Sequence, residues 1–162
     1  MKKIKPGPGQ ESVWDYPRPP KVEPFKGHIR IVFEGQVICD TNEAVRLLET
    51  SHPPTYYLPK ESFKDGFLEP NKHLTFCEYK GQAHYFDLVG RKTRSQNAAW
   101  FYPKVSKGYE LLENKIAIYA HTVNECYVNN EKVNAQEGSF YGGWITSNIV
   151  GPFKGAPGTW GW

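Results

Sequence analysis

The chain has 162 residues, 39% of them hydrophobic and 23% charged, with a net charge of +3. That length makes one domain, which buries roughly 70% of its unfolded surface and needs no staples. The composition excludes disorder, and so small a net charge excludes the concentrated basic face of a nucleic-acid binder.

Residues 1–27 hold six prolines, three of them in Trp14-Asp15-Tyr16-Pro17-Arg18-Pro19-Pro20. Proline lacks a backbone donor, so this arm cannot join a sheet centre. Trp14 and Tyr16 predict that its later part docks on the body in extended form. Met1-Lys2-Lys3-Ile4-Lys5 runs into Pro-Gly rather than an apolar stretch, so no signal peptide is expected. The chain divides into this arm, 1–27, and a single β domain, 28–162.

Ile29–Asp40 reads as a hairpin turning at Glu34-Gly35. Asp40 then has the look of a helix N-cap, with Glu43 three residues on. A short helix is predicted over Asn42–Thr50, with Ala44, Val45, Leu47 and Leu48 as its core stripe. It must stop near Ser51, because His52 precedes Pro53. Leu74–Leu88 reads as a second hairpin turning at Lys80-Gly81. A two-residue turn there sets Cys77 opposite His84 and Phe76 opposite Tyr85. Ala98–Tyr102 and Lys115–Tyr119 are further strands. Asn129-Asn130 is a type I′ signal between Cys126–Val128 and Glu131–Val133. The tail, Phe140 to Trp162, alternates aromatics with glycines and is predicted to wrap the body. The expected fold is mainly β. It is a compact twisted sheet forming an open barrel or tent, with one short helix and the arm and tail around it.

Glu49-Thr50-Ser51-His52-Pro53-Pro54-Thr55-Tyr56-Tyr57 is the stretch that reads as a site. It sets an acid, hydroxyls and an imidazole on a stiff proline support and shows no apolar period. His52 titrates near neutrality and is the candidate acid or base, with Glu49 one turn earlier to orient it. The structural alternative is that His52 caps a helix and Glu49 is solvated. Ser51, Tyr56, Lys80, Trp100, Tyr102 and Trp144 are the candidate ligand contacts. Of Tyr56 and Tyr57, one should be buried and one should face the cavity. Lys154 in the Gly-rich tail is a weaker candidate. Arg91-Lys92-Thr93-Arg94 reads as a solvated loop tip rather than a phosphate grip. Cys39, Cys77 and Cys126 lie far apart, which argues against a disulfide framework or a zinc ribbon and for reduced thiols in a cytoplasm. The five histidines lack ligand spacing, so no metal site is expected, and the residues name no cofactor. No apolar stretch reaches 18 residues, so no membrane span is expected.

Several segments together resemble the family called domain of unknown function 427. They are Trp14–Pro20, Leu48–Tyr57, Tyr79-Lys80-Gly81, Ala99-Trp100, Phe140–Thr146 and Gly151-Pro152-Phe153-Lys154-Gly155. The resemblance implies a small, mainly β bacterial protein. The family also carries a nucleotidyltransferase-type label. Nucleotidyl transfer places two divalent metals on closely spaced carboxylates. This chain has only Asp15, Asp40, Asp65 and Asp87, with no D-x-D and no phosphate-binding P-loop. Gly151–Gly155 does not supply one, because Pro152 removes an amide donor.

Three functions fit these residues. The first is a β module with a pocket around Glu49 and His52 for a small, partly aromatic or anionic ligand. The second is an enzyme using His52 as general acid or base on a small metabolite. The third is an interaction module, whose arm and aromatic tail dock a protein partner or a second copy as a homo-dimer.

Overall fold

The computed structural model of the chain describes residues 1–162. The strands are, in order, β1 (Glu11–Ser12), β2 (Lys21–Pro24), β3 (Ile29–Phe33), β4 (Gln36–Thr41), β5 (Val45–Leu48), β6 (Thr55–Tyr57), β7 (Leu68–Cys77) and β8 (Gly81–Val89). Then come β9 (Arg94–Phe101), β10 (Ile116–Ile118), β11 (Glu125–Val128), β12 (Glu131–Lys132), β13 (Asn134–Ala135), β14 (Trp144–Ile145) and β15 (Ile149–Val150). The only helical pieces are four three-residue 3-10 turns. No helix is long and apolar enough to cross a membrane.

Three sheets carry the body, in the orders β12-β11-β3-β4, β2-β5-β6 and β10-β9-β8-β7. The mainly β expectation holds. The sheets stay open and do not close into a barrel.

The strand period of two explains why the body has two large cores, beside a small cluster of Val13, Tyr16, Leu48 and Ile149. Phe86, Leu88, Ile116, Ile118 and Tyr56 project into the main core with Ile29, Ile31 and Ile38. Their chain neighbours Tyr85, Ala117 and Tyr57 belong to a second cluster with Val45, Leu47, Trp100 and Tyr102. The sheet is therefore covered on both faces. Ile29, Ile31 and Ile38 are fully buried, each contributing about 1.5–3 kcal/mol of burial.

The predicted helix over Asn42–Thr50 is absent. Val45–Leu48 is instead the central strand β5, paired antiparallel with β2 on one side and β6 on the other. Val45, Leu47 and Leu48, broken only by Arg46, suit a short covered strand and a helical stripe of the same length alike. The expected cap is spent otherwise. Asp40 meets His28 Nε2 at 2.5 Å, and the Thr41 hydroxyl accepts from the Glu43 amide at 3.0 Å. The second hairpin also differs in register. Cys77 faces Gly81 and Leu74 faces His84, so the turn is Glu78-Tyr79-Lys80 and the Cys77–His84 pair does not form. The other turns match expectation. Glu34 and Gly35 have φ of 49° and 76°, and Asn129 and Asn130 have 49° and 67°, as a type I′ turn requires.

Arm and tail pair with each other. β1 runs parallel to β15, and the Trp14 indole donates to the Pro152 carbonyl at 2.9 Å. β2 is an edge strand, which is where Pro24 is tolerated. Arg46 of β5, with 11% of its side chain exposed, binds Glu11 of the arm and Glu23 of β2 at 2.6 Å each.

Between arm and tail sits a tight turn. The His52 amide donates to the Glu49 carbonyl at 3.0 Å, with Ser51 at φ 72°. The Ser51 amide donates to Val13 O and the Thr50 amide to Pro17 O, while Ser51 O accepts from the Lys154 amide at 2.9 Å. Ser51 is fully buried and its hydroxyl has no protein partner. A left-handed backbone and an unmatched hydroxyl both cost stability, and glycine removes both at some entropic cost. Ser51→Gly is expected to raise stability by roughly 1 kcal/mol, or about 2–4 °C in Tm, in a chemical and thermal unfolding series. A loss of stability would mean that the turn does not hold this strained form.

Candidate functional site

The second core opens into a cavity of about 480 Å³. Tyr85 rises from β8, Trp100 from β9 and Tyr102 from the residue after β9. Glu49, His52 and Pro53 enter from the tight turn, Thr55 from β6, and Thr75, Cys77 and Lys80 from the second hairpin. Tyr141 and Lys154 come from the tail.

Of the residues singled out in the sequence, Glu49, His52, Lys80, Trp100 and Tyr102 share this cavity. Ser51 is sealed inside the turn. Tyr56 lies in the main core, its ring 5.2 Å from Phe25 and 5.1 Å from Trp144. Trp144 is in that core too, its indole donating to the Ile118 carbonyl at 3.2 Å. Tyr56 and Tyr57 are both buried, which corrects the expectation that one faces the cavity. Tyr57 supports the wall from behind, its hydroxyl accepting from the Trp100 indole at 3.2 Å. Burial raises the Tyr57 and Tyr102 phenols well above their ordinary value, so both stay neutral.

The residue that sequence reasoning missed is Gln136. Its side-chain oxygen accepts from the Gly143 amide at 3.1 Å, and its nitrogen donates to the Lys154 carbonyl at 2.7 Å. These two contacts fix which end of the amide is which. The same nitrogen lies 3.1 Å from His52 Nδ1. It donates there, so Nδ1 is the acceptor and the neutral ring carries its proton on Nε2. Protonating Nδ1 would set two donors face to face. Burial lowers the His52 pKa further, and Lys154, Lys80 and Arg18 add to that, while Glu49 opposes it. His52 is thus held as a neutral ring whose Nε2–H has no protein acceptor.

A flap closes this arrangement. Gly142 approaches the Trp100 ring so closely that a Cβ there would sit 2.3 Å from it. Tyr141, one residue earlier, lies 5.3 Å from the His52 ring. The Gly142-Gly143 pair is the one sequence signal for the flap. A lone glutamine in a polar run gives none.

Lys80 and Lys154 are both half-buried. Their ammonium groups lie 5.7 Å from the Tyr102 ring and 6.0 Å from the Tyr141 ring. Neither forms an ion pair: the ion pairs of the chain lie elsewhere.

A second cleft, of about 860 Å³, lies against Phe86 and Phe101. Its rim mixes Lys26, Lys60, Glu43, Glu61 and Glu113, all exposed, and it has no fixed donor. The smaller cavity carries the stronger chemistry. The Arg91–Arg94 loop offers no phosphate grip, because the amides of Arg91, Lys92 and Thr93 donate to the Glu34 carboxylate at 2.7–2.9 Å. Those bonds hold the Glu34 pKa below its ordinary value. His, Cys, Asp and Glu side chains form no group of three suited to a metal.

Fold and cavity define a small protein of open β sheets with one ring-lined hollow. Residues 21–129 match the family model described as "Domain of unknown function (DUF427)", and the chain belongs to that family. The match covers the frame of the cavity, and Gln136, Tyr141 and Lys154 lie beyond it. Comparison with curated proteins finds no match.

A histidine with a depressed pKa contributes stability above its unfolded value of 6.5 and loses it as pH falls through the lower folded value. Gln136→Glu replaces the donor on Nδ1 with an acceptor and is expected to raise the His52 pKa. The contribution then reverses and is present below pH 6.5. The check is an NMR titration of the ring, with unfolding midpoints at acid and neutral pH for both proteins. A His52 pKa that does not move between wild type and variant would refute the Gln136 contact with Nδ1.

Proposed function

We propose that the protein binds a small aromatic or anionic organic ligand in the 480 Å³ cavity. The observation that supports this reading most is the Gln136 clamp on His52. A fixed neutral donor among aromatic walls is what a small-molecule site uses to orient its ligand. The cavity volume falls in the range of such sites.

The same clamp weighs against His52 as a general acid or base. A base needs a lone pair on the substrate side, and here that nitrogen holds the proton. A strong acid needs an imidazolium, which burial and the Gln136 amide both oppose, and a neutral ring is left to polarise what it binds. Tyr56, a candidate second group, lies in the other core. The interaction reading keeps one support, the exposed rings of Phe76, Phe140 and Trp160. Its other element, the arm, is engaged with the chain's own tail.

The test is a thermal-shift screen of small organic molecules against wild type and Thr55→Phe, which fills the cavity from β6. A ligand at about 100 times its Kd stabilises by about 2.7 kcal/mol, roughly 5–10 °C for a chain of this size. Hits are expected to shift the wild type and not the filled variant. Hits that shift both equally would place binding elsewhere and overturn the reading.

A further inference from the structure

We infer that the ligand is a flat aromatic anion, with its ring against Trp100 and Tyr102 and its acidic group held by Lys80, Lys154 and the Nε2–H of His52. This rests on the cavity being the binding site.

The argument starts from the lysines. A partly buried cation needs a carboxylate, another polar acceptor or water for its donors. Arg46 has two carboxylates and Lys115 the Leu111 carbonyl, whereas Arg30 sits over the Tyr127 ring with no such acceptor. Lys80 and Lys154 are half-buried in the cavity wall and have none. Each lies beside a tyrosine ring, a weak attraction that leaves its three donors free.

Charge at the histidine points the same way. Glu49 exerts the largest single charge effect at His52, and three cations, Lys154, Lys80 and Arg18, oppose it. Glu78 also lines the cavity, but on the exposed turn of the hairpin. The His52 end is therefore net positive, and its one fixed proton points to an acceptor. An organic cation is disfavoured, because the two lysines already put positive charge in the cavity wall.

The rest of the wall calls for a ring. Trp100 and Tyr119 lie 4.5 Å apart and Tyr57 backs Trp100 at 3.2 Å, which keeps this surface rigid. Flat apolar surface of this kind is matched by an aromatic face. Carboxylate and phosphate share the chemistry the lysines recognise.

The test is calorimetric titration of the full chain with naphthoate, naphthyl phosphate, naphthalenemethanol, naphthylmethylamine, acetate and inorganic phosphate. One or both naphthyl anions are expected to bind about tenfold or more tighter than the neutral alcohol, the amine and the ringless anions. The comparison of naphthoate with naphthyl phosphate assigns the acidic group. Lys80→Met and Lys154→Met should each remove most of that preference while leaving the unfolding midpoint unchanged. Equal binding of the alcohol and the anions, abolished by Thr55→Phe, would overturn the anion and leave the cavity as a binding site. Failure of every naphthyl probe to bind would overturn both.

Discussion

The tight turn Glu49–His52 is the constraint on which the site depends. It is short, left-handed at Ser51, and bracketed by two segments distant in sequence. Val13 and Pro17 take its amides from the arm side, and the Thr50 hydroxyl donates to Tyr16 O at 2.5 Å. On the tail side Lys154 donates to the Ser51 carbonyl. A strained backbone persists only where its surroundings over-determine it, and strain of this kind clusters at functional sites. Here the surroundings are the arm at Val13–Pro17 and the tail at Lys154. Remove either, and the imidazole loses its position before any side chain in the hollow changes.

The two-faced sheet does the remaining work. One face builds the main core and the other builds a wall of rings, because adjacent strand residues point opposite ways. Tyr56 and Tyr57 show the cost of a one-residue difference. The first supports Trp144 in the interior, and the second supports Trp100 under the cavity. The hollow is therefore an extension of a packed core rather than a gap in a loop, which makes its walls stiff.

The frame was largely legible in the sequence, and the lock was not. Glu34-Gly35 and Asn129-Asn130 announced their hairpins because type I′ turns need residues that tolerate positive φ. The polar, proline-bounded stretch at 49–57 pointed to the turn that borders the hollow, although its Tyr56 and Tyr57 belong to the two cores. The segment Val45–Leu48 misled because three apolar residues around Arg46 fit a short covered strand and a helix face equally. The hairpin at Cys77–Gly81 misled because one glycine does not fix loop length, and a three-residue turn moves every cross-strand pair. Gln136 was invisible for a different reason. Its meaning comes from two backbone groups, Gly143 N and Lys154 O, that only the folded chain brings to it.

That last dependence has a consequence for how the molecule is made. Synthesis runs from the arm towards the tail, so the rings and the histidine emerge well before residue 154. The carbonyl that tells the Gln136 amide which way to face belongs to Lys154, which is added 18 residues after the glutamine. Until then the glutamine has emerged without the group that orients it, and the proton on the imidazole is unassigned.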